Sequence, residues 1–215
     1  MEIKENHIIV NKTARFYTLG VLTANTKQVW LVLHGFRQNA QSFIAEFEPL
    51  ASPDIFFIAP EGLNRFYLDG HAGKVGASWM TKEDRLNEIK DYINYLNDLY
   101  EYFELEKFTG TITALGFSQG ASTLTRWADS TNYRIDKVIV FAGEVAPEII
   151  PLQAHSGLNR TKNYFVCGTK DEFFTPDFVA KAKEIYKSLR FTEIEFDGKH
   201  ELRMDILKEI SSGKK

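Results

Sequence analysis

Residues 115–122 read LGFSQGAS, which sets Ser118 between Gly116 and Gly120, after an apolar run and before a helical pattern. Gly-x-Ser-x-Gly specifies three residues, and at about 7% abundance each a chain of this length yields roughly 0.07 chance matches. The pentapeptide therefore takes its meaning from its flanks. Upstream, TGTITALGF (109–117) reads as a strand; downstream, QGASTLTRWADS (119–130) carries Ala121, Leu124 and Ala128 on one helical face. A sharp strand-to-helix turn needs small residues on both sides of the serine. It lifts the hydroxyl above the sheet, beside helix amides that favour developing negative charge.

Working outward, apolar runs alternate with helical periodicity along the chain. The runs are EIKENHIIV (2–10), ARFYTLG (14–20), QVWLVLHG (28–35), DIFFIAPEG (54–62), the strand before Ser118, DKVIVFAG (136–143), NYFVCGT (163–169) and TEIEFDG (192–198). Leu86, Ile89, Ile93, Leu96, Tyr100 and Phe103 form one stripe at three- and four-residue spacing. Phe178, Ala182, Ile185 and Leu189 form another, behind a Thr175 N-cap and Pro176, and Leu202, Ile206 and Ile210 mark a last helix. The first two or three runs leave no room for helices between them and are expected to form antiparallel strands. The βαβ alternation that follows implies a mostly parallel sheet covered on both faces, a three-layer α/β sandwich. No composition shift or linker divides the chain, so residues 1–215 are expected to form a single domain.

With 215 residues, 44% of them hydrophobic, the chain can close a substantial core. A formal net charge of -3 excludes the basic field expected of a nucleic-acid binder. The start lacks the apolar stretch of a signal peptide, and no run reaches the ~18–20 residues of a membrane span. Cys167 is the lone cysteine and sits in the apolar run YFVCG, where it reads as a packed core thiol. Those features point to a cytoplasmic setting. No metal-ligand cluster, phosphate-binding loop or dinucleotide fingerprint stands out, so no cofactor is expected.

In an open parallel sheet the chemistry collects beyond the carboxyl ends of the strands. A serine hydroxyl is a weak nucleophile that needs a base within hydrogen-bond reach. Of five histidines, His7 lies in the first run, His34 in LVLHGF, His71 in a Gly-rich loop and His155 in a polar connection. His200, in DGKHEL, follows the last strand and is the expected base. The base needs an acid to set its tautomer, and Asp171 directly follows the seventh run in VCGTKDEFF, with Glu172, Asp177 and Glu144 as rivals. Oxyanion donors are available in the backbone amides of Gln119 and, in LHGF, of Phe36.

These features resemble the α/β-hydrolases, and among them the carboxylesterase/phospholipase group that includes acyl-protein thioesterases. The resemblance is carried by LHGF, GFSQG, GTKD and GKHEL, with ASWM similar to an aromatic element of that group, and it spans roughly residues 28–210. It implies a Ser118–Asp171–His200 triad and an oxyanion hole from the Phe36 and Gln119 amides. The chain departs from the pattern at Arg37-Gln38, where Gly-Asp or a similar pair is usual. Only residues 144–162 join the sixth and seventh strands, so no cap domain is expected. The longest excursion, EGLNRFYLDGHAGKVGASWM (61–80), is expected to wall the acyl site, with Phe66, Trp79 and Glu144 as substrate contacts. The function implied is hydrolysis of small carboxylic esters or thioesters. A serine peptidase and a non-catalytic binding protein of the same fold are the alternatives, and the oligomeric state is left open.

Overall fold

The computed structural model describes residues 1–174 and 176–214, without the side chains of 176–181. Strands β1 (Phe16–Leu19), β2 (Gln28–Leu33), β3 (Ile55–Pro60), β6 (Thr111–Phe117), β7 (Lys137–Phe141), β8 (Lys162–Gly168) and β9 (Thr192–Phe196) form one sheet in the order β1-β3-β2-β6-β7-β8-β9. Only β1 runs antiparallel, pairing with β3; every other neighbour is parallel. β4 (Asn64–Tyr67) and β5 (Val75–Ser78) make a separate antiparallel hairpin. The helices are α1 (Ala40–Ala45), α2 (Arg85–Tyr102), α3 (Gln119–Ser130), α4 (Pro176–Ser188) and α5 (Met204–Ser211).

Side chains alternate across a strand, so each central strand feeds two cores. Val29, Leu31 and Leu33 of β2 face α2, α3 and α4, joining Leu96, Leu124, Trp127 and Tyr186. Trp30 and Val32 face the other way, toward Phe43 of α1 and Ile206, Leu207 and Ile210 of α5. Strands buried on both faces must be apolar throughout, which is why β2 and β3 read as unbroken hydrophobic runs. Burying each such side chain contributes roughly 2 kcal/mol. Cys167 is 1% exposed, and burial pushes its thiol up to about 11, so it packs as an inert core residue. Among the described residues no helix is long and apolar enough to cross a membrane.

The structure departs from the sequence expectations in three places. Residues 2–10 form no strand; Ile3, Ile8, Ile9 and Val10 stand exposed, because nothing pairs with the segment. The 61–80 excursion, in which no strand was expected, contains the β4–β5 hairpin. Of the expected stripe on α2, Leu96 and Tyr100 are buried and Ile89, Ile93 and Phe103 pack on the same core, but Leu86 is exposed and Tyr92, Tyr95 and Leu99 complete the buried face. Tyrosines there bury their rings while Tyr95 and Tyr100 donate their hydroxyls to the carbonyls of Arg15 and Arg134, a solution that apolar periodicity alone does not reveal. The Thr175 cap and the side chain of Phe178 lie outside the described residues.

Two features of the scaffold make measurable predictions. A Cβ on Gly116 would lie 2.3 Å from the Gly120 oxygen and 2.6 Å from the Ala121 Cα, both backbone atoms that cannot yield. Gly116→Ala is expected to destabilise by about 3 kcal/mol in urea unfolding. Gly73→Ala, with open space around it but φ of +95°, should cost only about 1 kcal/mol.

The second is an ion cluster on α3. Arg126 Nε and Arg85 Nη2 both reach Glu148 Oε1, at 2.6 and 2.7 Å. Partial burial alone would raise the Glu148 carboxyl, but hydrogen bonds and attraction from the two guanidinium groups outweigh it and hold it at about 2. The unfolded chain binds this proton near 4.5, so the folded state is favoured above that pH and the advantage fades as pH falls toward 2. Glu148→Gln should lower stability by about 1 kcal/mol at neutral pH, the value being reduced by solvent screening. Denaturant midpoints of the two proteins should converge as pH is taken from 7 toward 2.

Candidate active site

The carboxyl ends of β2, β6, β8 and β9 carry the residues singled out in the sequence. Ser118 sits between the last residue of β6 and the first of α3 with φ of +52° and ψ of −118°. That conformation is rare for a residue with a side chain and costs about 1–3 kcal/mol, which the surrounding structure must supply. The Ser118 amide donates to Phe141 O at 3.0 Å, and its carbonyl accepts the Ala121 amide at 3.0 Å. Neighbouring backbones close in tightly. A Cβ on Gly120 would lie 2.3 Å from Leu33 O, and one on Gly143 2.5 Å from Ser118 O. One on Gly35 would come 3.1 Å from Ser118 Cβ. Glycines at these positions let three strand ends converge on one serine.

His200, in the turn after β9, places Nδ1 2.7 Å from Asp171 Oδ2. The Asp171 side chain is fully buried, and its Oδ1 accepts the Phe173 amide at 2.9 Å. With both oxygens engaged, the carboxylate cannot rotate away from the imidazole. A carboxylate only accepts, so Nδ1 carries the proton donated to Asp171, and in the neutral ring Nε2 keeps the lone pair a base requires. The ring packs against Phe117, centroid 4.9 Å away, and Phe173, 4.7 Å away and edge-on. Glu144, the rival acid after β7, is exposed; desolvation pushes its carboxyl upward, and its carbonyl accepts the Ser122 hydroxyl.

The loop after β2 is braced from several directions. The Gly35 amide donates to Gln38 Oε1 at 2.7 Å, and the Arg37 and Ala77 amides bond to Ala77 O and Gln38 O. Arg37 adopts φ of +69°, the left-handed turn that a glycine takes with ease, so the departure at this position is accommodated by backbone strain. His34 is fully buried: Nε2 accepts the Gly62 amide at 2.9 Å, and Nδ1 donates to Gly35 O at 2.7 Å. Burial lowers its pKa and both nitrogens are occupied, so His34 holds the loop as a neutral ring and cannot serve as a base. Phe36 lies on this loop, next to the Gly35 that approaches Ser118, and Gln119 follows Ser118 as the first residue of α3.

Of the substrate contacts expected from sequence, Phe66 lies half-buried on β4 with its ring 5.6 Å from that of Phe36. Trp79 is placed differently: it is 1% exposed, lies against the His34 ring, and donates its indole N–H to His34 O at 2.8 Å. It props the loop from beneath and has no surface to offer a ligand. The Gln119 side chain does related work, accepting from the Trp79 amide and donating to Met80 O. Phe173 was not singled out in the sequence, and Gln38 only as part of the Arg37-Gln38 departure from the family pattern. Phe173's proximity to Asp171 was the available signal; for Gln38 it was its place in the turn after LHGF. Among the described residues, Glu5, His7 and Asp84 lie close enough to share a cation, and all three are exposed.

Residues 23–211 match the model of the family described as Phospholipase/Carboxylesterase. Among solved structures, the chain is similar to esterase PE8 with a TM-score of 0.68 and 20% identity, covering 94% of this chain and 97% of that one. It is similar to acyl-protein thioesterase 2 of Zea mays with a TM-score of 0.68 and 15% identity, covering 94% and 98%. A carboxylesterase of Bacillus cereus superposes with a TM-score of 0.66 at 14% identity, covering 93% and 92%. No curated protein matches the chain significantly.

Proposed function

The chain belongs to the phospholipase/carboxylesterase family, and on that premise we propose that it is a serine hydrolase of small carboxylic esters or thioesters. Ser118 is the nucleophile, His200 the general base and acid, and Asp171 the residue that orients the imidazole. The observation that carries this reading is the 2.7 Å contact from His200 Nδ1 to a buried carboxylate, at the same sheet end as a strained serine.

The Ser118 oxygen attacks the carbonyl carbon while His200 Nε2 takes its proton. The carbonyl oxygen becomes an oxyanion that the Phe36 and Gln119 amides stabilise. Collapse breaks the bond to the alcohol or thiol, which leaves with the proton from His200. Water then attacks the acyl-serine by the same route and releases the acid. Asp171 stabilises the imidazolium formed in each half and stays ionised. A cytoplasmic setting suits the lone, buried Cys167.

The test is turnover of short-chain p-nitrophenyl esters, acyl thioesters and aminoacyl amides by the purified protein. Esters or thioesters should be cleaved with saturation kinetics, and amides far more slowly. A preference for amides would assign the site to peptide chemistry, and no turnover of any of the three would remove the proposal.

A further inference from the structure

The geometry points to Phe173 as the residue that selects the departing alcohol or thiol, and to an apolar leaving group as the class it takes. This rests on the hydrolase reading above. In that mechanism the departing oxygen or sulfur receives its proton from His200 Nε2, so the atoms attached to it must lie beside the imidazole. The rings packed on that imidazole then decide what the leaving group touches first.

Phe117 and Phe173 lie within 5 Å of the His200 ring, centroid to centroid. Phe117 is 5% exposed and sealed into the core beneath the sheet end, whereas Phe173 is 68% exposed. An aromatic ring left in water beside a reacting group is an unfilled contact surface. Its backbone is not free to swing away, because the Phe173 amide is bonded to Asp171 Oδ1 at 2.9 Å. The ring position is therefore tied to the carboxylate that orients the base.

The sheet order separates this surface from the other exposed aromatic of the site. Phe36, 51% exposed and packed on Phe66, follows β2 on one side of β6; Phe173 follows β8 on the other. Ser118, at the end of β6, lies between them in strand order. The Phe36 side carries an oxyanion amide and the Phe173 side carries the proton donor. An ester bound between them directs its alcohol half toward Phe173, which favours benzyl, aryl or long alkyl groups over small ones.

The experiment compares benzyl butyrate with ethyl butyrate, which share an acyl group and have alcohols of similar acidity. The native enzyme should favour the benzyl ester in kcat/KM by about tenfold, the scale of a single apolar contact in a specificity site. Phe173→Ala should bring that ratio close to one, and Phe173→Tyr should keep it. If Phe173→Ala lowers both esters by the same factor and leaves the ratio intact, the ring only braces His200 and the inference is overturned. An absence of benzyl preference in the native enzyme overturns it equally. Failure of the underlying hydrolase reading looks different: neither butyrate is turned over and Ser118 takes no fluorophosphonate.

Discussion

A fluorophosphonate is expected to label Ser118 with one adduct per chain and to abolish ester hydrolysis in proportion. Ser118→Ala should lower kcat by on the order of 10⁶, because the nucleophile and its base act as a unit and loss of either removes the covalent route. The expectation follows from the strained turn at Ser118, which Gly35, Gly120 and Gly143 permit by leaving room for backbone alone. Among the described residues no other serine adopts a positive φ; Ser78 donates to Met80 O, and Ser122 to Glu144 O. Peptide mass spectrometry that found the adduct on another serine, or active protein with no adduct, would refute the assignment.

Asp171→Asn should lower kcat by about 10⁴ while leaving the fold intact. The substituted amide can still accept the Phe173 amide through its oxygen, so the local backbone is retained. Its NH₂ group then faces His200 Nδ1 and donates where the carboxylate accepted. The imidazole is driven to the tautomer with its proton on Nε2, which cannot take a proton from serine. Unfolding midpoints and kinetics measured on the same preparation separate this effect from misfolding. If Asp171→Asn kept nearly full activity while Glu144→Gln lost it, the acid would belong to the end of β7.

The α/β alternation was legible because burial on both faces makes β2, β3, β6, β7 and β8 predominantly apolar, while helices show a single stripe. The same logic misread residues 2–10. HIIV has the composition of a strand, but a strand exists only where another chain segment supplies its hydrogen bonds, and none does so here. It also misread the hairpin within 61–80, whose pairing of Asn64–Tyr67 with Val75–Ser78 depends on closing a loop between short segments.

At the site, local pattern was enough to nominate Ser118 as the candidate nucleophile, since the small neighbours required by the turn are adjacent in the chain. It also ranked Asp171 and His200 by their positions after strands. Local pattern could not supply their 2.7 Å contact across 29 residues, which depends on β8 and β9 lying side by side in parallel register. Trp79 shows the opposite limit. An aromatic beside a candidate pocket reads the same whether it lines the pocket or supports it, and only packing against His34 decided the matter. Phe173 was passed over because exposure is a property of the folded surface. Short-range constraints of turn, period and residue size are written along the chain. Which groups face water, and which face each other, follows from how distant segments pack.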